Sequence, residues 1–231
     1  MARILCTVTN DLTYDQRMIR ICASLASAGY AVELVGRERS FSEPLREKPF
    51  RQTRLRCIFN KGKLFYLEYN LRLFFYLLSH PFDIVCPVDL DTLLPGYLVS
   101  RLRSKVLVYD AHEYFTEVPE VVNRPLVRKA WQTLAHSLIP RLRYAYTVGE
   151  SLAEIFEKKY GTPFSVIRNL PHRREATARP APDHPPILLY QGYLNEGRGL
   201  ETAISALRQL PEVELWLAGE GDLSEKLRDL A

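Results

Sequence analysis

Apolar residues along the chain follow two spacings that alternate. Short apolar runs at residues 3–9, 31–35 and 83–88 are typical of buried strands. Between the first two runs, apolar side chains recur every three or four residues, as in a helix with one buried face: Met18, Ile21, Cys22, Leu25 and Ala26. This repeated alternation predicts an α/β protein with a Rossmann-like, doubly wound parallel sheet covered by helices on both faces.

Local motifs mark where these elements begin and end. The spacing of Thr13 and Gln16 predicts a capping box at the start of the first helix, and Gly29 predicts its end. Pro125 is suited to the first turn of another helix, with Asn123 as its cap. The same reasoning predicts further strands at 55–59, 105–109, 144–148 and 165–168, and further helices at 64–78, 93–102, 125–138 and 151–159.

A proline-rich stretch divides the chain. Residues 171–186 hold five of the fifteen prolines and almost no large apolar side chain, so they are unsuited to a core. We therefore expect a first domain at 1–171, a linker at 172–186 and a second domain at 187–231. The last segment predicts only two strands, at 187–190 and 213–218, each followed by a helix. Because a two-stranded sheet is marginal alone, we expect it to be the incomplete start of a second Rossmann-like domain.

Composition excludes several classes of protein. A formal net charge of +4 is too mild for a nucleic-acid binder, but it suits phosphorylated substrates or an anionic membrane surface. The four cysteines lie far apart with no metal-ligand spacing, so we expect buried thiols and no metal site. The first strand is not followed by G-x-G-x-x-G, which argues against a dinucleotide dehydrogenase. No secretory leader is visible, so the cytoplasm is the expected location.

The aromatic and leucine-rich helix at 64–78 allows two interpretations. It is shorter than the ~20 residues needed to span a bilayer, and it contains Glu68 and Arg72. A buried helix packed on the sheet is the favoured interpretation. An interfacial helix at the inner face of a membrane remains open, because Lys61 and Lys63 adjoin the apolar run.

Polar residues follow several predicted strands, where ligands of open α/β sheets bind. His112 follows one strand, titrates near neutrality and is suited to bonding a hydroxyl or carbonyl group. Its neighbours Asp110 and Glu113 are suited equally to capping a helix, to fixing the His112 tautomer or to touching substrate. Arg17, after the first strand, is expected to form a surface salt bridge.

The start of the second domain has a different chemistry. An apolar strand runs into Gly192, a short polar loop follows, and Arg198 and Gly199 precede a predicted helix. Backbone N–H groups, a positive helix end and a guanidinium would then converge on one point, which suits a diphosphate. Gly219 follows the next strand and serves either a tight turn or nucleotide contact.

These elements resemble the family-4-like retaining glycosyltransferases of the two-domain GT-B fold. The resemblance rests on residues 188–199, 110–120, 167–171 and 217–222. It implies that His112 is a catalytic residue near the transferred sugar. It also implies two further groups: donor-binding residues Gly192, Arg198, Gly199 and Gly219, and acceptor-side cleft residues Asn10, Asp11, Glu113 and Asn169. Two positions depart from the family pattern, Leu170 in place of a glycine and Tyr193 in place of a basic residue.

The resemblance implies transfer of a sugar from a nucleotide-diphosphate sugar to a hydroxyl acceptor, with retention and without metal or other cofactor. The expected partners are the nucleotide sugar and a carbohydrate or lipid-linked acceptor of bacterial polysaccharide or glycolipid synthesis, with peripheral membrane contact and without nucleic acid. The family's paired-glutamate element is expected beyond Ala231. Two alternatives stay open: a non-catalytic acceptor-binding or scaffold fragment, and a nucleotide-sugar epimerase on the same fold.

Overall fold

The structure, a computed structural model, describes residues 1–40, 42–171, 173 and 185–230. The chain divides into two compact units, Met1–Leu170 and Pro171–Ala231. Most of the linker expected at 172–186 lies outside the described residues.

The first unit contains two parallel sheets. The larger has the strand order β3-β2-β1-β4-β5, and the smaller has the order β6-β7-β8. A parallel bridge between Val88 and Asp110 joins them. The strands are β1 (Arg3–Thr7), β2 (Ala31–Glu38), β3 (Arg51–Arg56), β4 (Ile84–Pro87), β5 (Val106–Leu107), β6 (Tyr109–Ala111), β7 (Ala145–Thr147) and β8 (Ser165–Val166).

Helices cover both faces of the larger sheet. They are α1 (Gln16–Ser27), α2 (Gly62–Ser79), α3 (Leu90–Leu102), α4 (Pro119–Val122), α5 (Pro125–Leu138) and α6 (Glu150–Tyr160). Ile4 and Cys6 of β1 pack with α1, while Leu5 packs with α2 and α3. Successive side chains of a strand point to opposite faces, so α1 lies on one face and α2 and α3 lie on the other. This arrangement confirms the predicted doubly wound α/β fold.

The central strand β1 is paired on both edges. Cys6 lies beside Leu34 of β2 on one side and beside Cys86 of β4 on the other. Cys6, Cys22 and Cys86 are buried free thiols, as the sequence predicts, and Cys57 is half-buried.

Several local predictions were wrong. Arg124, and not Asn123, is the N-cap of α5, and β3 covers residues 51–56 where a strand at 55–59 was expected. The N-cap of α1 is Asp15, whose carboxylate accepts a bond from the Met18 N–H at 2.9 Å. Thr13, the expected cap, instead accepts a bond from Arg54 at 2.6 Å. The strand expected at 105–109 is split, because Val106–Leu107 pairs with β4 whereas Tyr109–Ala111 pairs with β7.

The aromatic helix α2 buries one side in the first unit. Phe65, Tyr69, Leu73 and Leu77 join Leu5, Val35 and Val85 in a core cluster. The Tyr69 hydroxyl donates to the carbonyl of Val8, which satisfies its buried polar atom. Within the described residues, every helix is too short or too polar to cross a membrane.

Within residues 185–230, the second unit contains a parallel pair of strands with two helices. They are β9 (Ile187–Gln191), α7 (Leu200–Ala206), β10 (Glu214–Ala218) and α8 (Ser224–Leu230). Leu194, Leu200 and Leu227 form its small core. The elements occur in the predicted order, and a 3-10 turn at Leu207–Gln209 ends the first helix early.

Candidate functional site

A polar cleft lies where β1, β4 and β6 end. Because these strands are parallel, their carboxyl ends meet at one edge of the sheets, and the residues that follow them converge. The cleft has a volume of about 270 Å³. Its polar lining consists of Thr9, Asn10, Asp15, Arg17, Asp89, Asp91, His112 and Glu113.

The floor of this region is a buried ion pair. Nη1 and Nη2 of Arg17 lie 2.7 and 2.6 Å from the two carboxylate oxygens of Asp110. Asp110 is fully buried, and it also accepts a bond from the Tyr146 hydroxyl at 2.6 Å. The expectation of a surface salt bridge for Arg17 was therefore wrong. The sequence does not show that Asp110 is its partner, since the two residues lie 93 positions apart.

His112 is held by Asp89. One carboxylate oxygen of Asp89 forms a close ion pair with Nδ1 of His112, and the other accepts the His112 backbone N–H at 3.1 Å. Asp89 therefore fixes the ring, a role that the sequence left open for Asp110 and Glu113. Because the contact uses Nδ1, Nε2 is the nitrogen that remains for a ligand in the cleft.

The backbone at Asp89 is strained. Its φ is +56° and its ψ is 177°, a combination normally adopted by glycine. Such a conformation costs about 1–3 kcal/mol and is concentrated at functional sites. The Asp89 N–H donates to the carbonyl of Asp110 at 2.7 Å, which ties this turn to β6.

The contact with Asp89 keeps His112 protonated at neutral pH. Burial alone would lower the pKa of His112, but the bond and charge of Asp89, with the charge of Glu113, raise it to about 9. Burial raises the pKa of Asp89 from its ordinary value, and His112 opposes that rise. The ring therefore presents an Nε2–H donor with a positive charge to the cleft.

Asp91 is a second buried acid in the cleft. It lies in the first turn of α3, and Oδ2 accepts a bond from the Thr9 hydroxyl at 2.6 Å. Burial, together with the charge of Asp89, raises its pKa to about 7. Neither Asp89 nor Asp91 was among the predicted site residues. The sequence signal that could have identified these two acids is their position, because both come directly after β4 at the edge of the sheet where ligands bind.

The structure brings some predicted acceptor-side residues together and separates others. Asn10, His112 and Glu113 line the cleft. The side chain of Asn10 also shapes its loop, since it accepts the Leu12 N–H and donates to Asp15.

Asp11 and Asn169 lie outside the cleft lining. Asp11 accepts the N–H of Thr13 at 3.1 Å within its own turn. Asn169 accepts a bond from Arg20 at 2.6 Å beside a separate groove along α1. Neither residue shares a bond with His112 among the contacts described.

In the second unit, the predicted glycines form closely packed turns. Gly192 and Gly219 follow β9 and β10, with φ values of +157° and +156°. A Cβ on Gly219 would lie 1.8 Å from the carbonyl oxygen of Gly192, so only glycine fits there. The close approach of the two turns thus explains Gly219 without a ligand.

Arg198 and Gly199 begin the next helix of this unit. Gly199 is the N-cap of α7, with a φ of +71° in the left-handed region. The Arg198 side chain is exposed immediately before it. The predicted order of strand, glycine, loop, arginine and helix is therefore present.

Comparisons with solved structures show the fold. Sucrose-phosphate synthase from Thermosynechococcus elongatus matches all of this chain at 15% identity and a TM-score of 0.71. Anabaena HepE, solved with UDP and glucose, also matches the whole chain, at 16% identity and a TM-score of 0.65. The lipopolysaccharide outer core galactosyltransferase WaaB does so at 14% identity and a TM-score of 0.63.

This chain spans 66%, 65% and 64% of those three proteins, respectively. No curated protein sequence matches the chain. The model of Glycosyltransferase Family 4 matches residues 16–172, which is more than half of the chain. The match begins after β1, and it includes Arg17, Asp89, Asp91 and His112 of the cleft lining, together with Asp110. The chain therefore belongs to glycosyltransferase family 4.

Proposed function

We propose that the protein transfers a sugar from a nucleotide-diphosphate sugar to a hydroxyl acceptor, with retention at the anomeric carbon. In this reaction the bond between the anomeric carbon and the diphosphate oxygen breaks, and its electron pair leaves with the diphosphate. A bond to the acceptor oxygen forms, and the acceptor proton is released. Family membership supports this reaction class, and HepE supports the donor class because it was solved with UDP and glucose.

The Asp89–His112 pair carries the proposal. Its imidazolium is fixed in orientation and presents Nε2–H to a cleft lined by oxygen-rich side chains. A sugar offers hydroxyl oxygens as acceptors, and a charge-assisted bond to one of them fixes the ring for reaction. We infer that His112 contacts the transferred sugar, while Arg17 and Asp110 hold the surrounding loops.

The second unit supplies the group proposed for the leaving diphosphate. Exposed Arg198 and the backbone N–H groups of the first turn of α7 provide positive charge at the end of β9. Stabilising the diphosphate as negative charge develops on it lowers the barrier to breaking the glycosidic bond. Gly192 and Gly199 have no side chain, so a diphosphate can approach the backbone closely at these two positions.

His112→Ala is expected to lower kcat/KM for sugar transfer by the full-length protein about 10- to 100-fold, because the variant loses one charge-assisted hydrogen bond to the sugar. Transfer of radiolabelled sugar from UDP-, GDP- and ADP-sugars to a lipid-linked acceptor extract measures this effect. His136→Ala, at an exposed position on α5, is the matched control and is expected to retain full activity. Equal activity of the His112 and His136 variants would contradict the role of His112.

Arg198→Ala is expected to weaken binding of the nucleoside diphosphate about tenfold or more, with the fold unchanged. Calorimetric titration of the full-length protein with UDP, GDP and ADP measures the affinity. Arg208→Ala, an exposed arginine of the same unit, serves as the control. If the wild-type protein binds none of the three nucleotides, the result contradicts the proposed enzyme and favours a non-catalytic acceptor-binding or scaffold fragment.

A further inference from the structure

The N-terminus of α2 carries positive charge from three sources. The first backbone N–H groups of a helix have no partner within it, and the helix dipole adds partial positive charge there. Lys61 is the N-cap and forms no side-chain capping bond, and the first turn, all of which the structure describes, holds no acid. Lys61 and Lys63 are exposed and add two cations where helices favour acids. This end of α2 is therefore suited to an external anion.

Arg37 of β2 brings a buried guanidinium to the same end of α2. Its side chain belongs to a residue that is only 9% exposed. Its Cζ lies 4.1 Å from the centre of the Phe65 ring, near the start of the helix. Nη1 donates to the carbonyl of Asn60 at 3.1 Å, and Asn60 comes directly before the N-cap. These two contacts fix the position of the guanidinium at the start of α2.

The charge of Arg37 has no counter-ion in the part of the chain that the structure describes. Its Nε is buried without a hydrogen-bond partner. Burial and the charge of Arg39 both lower the pKa of Arg37, so its surroundings disfavour the cation. A buried arginine is normally paired, as Arg17 is with Asp110. An anion that enters beside Arg37 would supply the missing partner.

The acids near this position are engaged elsewhere. Glu38, the next residue of β2, forms an ion pair with Arg56 at 2.7 Å. Glu68 of α2 forms an ion pair with Arg72 at 2.8 Å, and it also accepts two backbone N–H groups of the segment before α2. Neither carboxylate is paired with Arg37.

This position adjoins the cleft. The backbone N–H of Arg37 donates to the carbonyl of Asn10 at 2.8 Å, and Asn10 lines the cleft. The carboxyl end of β2 therefore lies beside the loop that follows β1, at the edge of the sheet where ligands bind. Because the diphosphate of the donor is assigned to Arg198 in the second unit, we assign the anion at this position to the acceptor.

We propose that the N-terminus of α2, with Arg37, Lys61 and Lys63, binds a phosphoryl group of the acceptor. The proposal rests on the proposed function, since it places the acceptor hydroxyl in the neighbouring cleft. A phosphoryl group has several oxygens, which accept bonds from helix N–H groups, a guanidinium and ammonium groups together. A sugar phosphate and a prenyl phosphate share this chemistry.

Titration of the full-length protein with inorganic phosphate, in the absence of any donor, tests the site. Two-dimensional amide NMR follows the backbone N–H groups of residues 62–64 and measures the affinity. We expect saturable shifts in the wild-type protein, and an affinity about tenfold or more lower in Lys61→Gln/Lys63→Gln. Lys129→Gln/Lys158→Gln removes the same charge at exposed positions on α5 and α6, and it is expected to bind as wild type.

Arg37→Met tests the buried guanidinium separately. Methionine keeps an apolar side chain against Phe65 and removes the charge, so the affinity for phosphate is expected to fall about tenfold or more. Amides of residues 62–64 that do not shift in the wild-type protein overturn the site. A lysine double variant that binds phosphate like wild type also overturns it, and this variant changes exposed side chains only.

Two phosphate esters identify the source of the phosphoryl group. Glucose-6-phosphate represents a sugar phosphate, and geranyl phosphate represents a prenyl phosphate. The ester that belongs to the acceptor class is expected to bind about tenfold more tightly than inorganic phosphate, because its organic part makes further contacts. If neither ester binds more tightly, the assignment to an acceptor is overturned. Phosphate binding by a protein that transfers no sugar would contradict the proposed function and still support the site.

Discussion

Replacing Arg17 by methionine is expected to lower the free energy of unfolding of the first unit by about 3–5 kcal/mol. The substitution removes both bonds to Asp110 and leaves a fully buried carboxylate with the Tyr146 hydroxyl as its remaining side-chain partner. An unpaired charge in a protein interior destabilises the folded state by far more than the intact ion pair stabilises it.

Urea unfolding followed by fluorescence measures this loss. The chain has two tryptophans, so a Trp216→Phe background leaves Trp131 to report on the first unit alone. Arg20→Met is the control on the same helix. It removes one exposed bond to Asn169 and is expected to cost less than about 1 kcal/mol.

A double variant separates charge from packing. Arg17→Met/Asp110→Asn removes both charges and keeps an acceptor for Tyr146, so it is expected to recover much of the lost stability. Equal stability of Arg17→Met and wild type would show that the pair does not hold the loops of the cleft. In that case Arg17 would not have the structural role that we assign to it.

Asp91→Asn is expected to stabilise the first unit by about 2–4 kcal/mol at pH 8 and to have little effect at pH 4. The pKa of Asp91 is about 7 in the folded protein and ordinarily 3.8. Between these values the folded state keeps a proton that the unfolded chain has released, so this group lowers stability as pH rises from about 4 to 7. Asparagine does not titrate, so the variant loses this dependence of stability on pH. Its side-chain oxygen still accepts the bond from the Thr9 hydroxyl.

The measurement is urea unfolding of both proteins across this pH range, in the same Trp216→Phe background. The difference between variant and wild type reports the titration of Asp91 together with its charge coupling to Asp89 and His112. Asp83→Asn is the control, since the N–H of Arg3 and the charge of Lys105 lower the pKa of that exposed acid. A difference that does not change between pH 4 and pH 8 would contradict a buried, uncharged Asp91.

Periodicity predicted most of the fold. Strand and helix alternation identified the parallel sheets, and the rule that ligands bind at the carboxyl ends of strands led to His112, Asn10 and Glu113. The three residues line one cleft in the structure. The boundaries of α1 were less predictable, since Thr13 and Asp15 are both good caps and tertiary contact with Arg54 decided between them.

The contacts within the cleft could not be predicted in the same way. Arg17 at the start of α1 bonds to Asp110 of β6, and no local spacing in the sequence reveals that contact. The role of Asp89 depends on a backbone conformation that a propensity argument assigns to glycine. In both cases the tertiary contacts of the site, and not the local preferences of the sequence, determine the structure.

The position of β1 at the centre of its sheet has a consequence for synthesis on the ribosome. Its pairing with β2 joins segments about thirty residues apart, but Ile4 pairs with Ile84, eighty positions later. While the intervening segment is translated, β1 carries an unpaired edge of backbone donors and acceptors, which is open to pairing with other chains. Emergence of residues 84–87 from the exit tunnel closes that edge, so a translational pause before this point would lengthen the period in which nascent chains can aggregate.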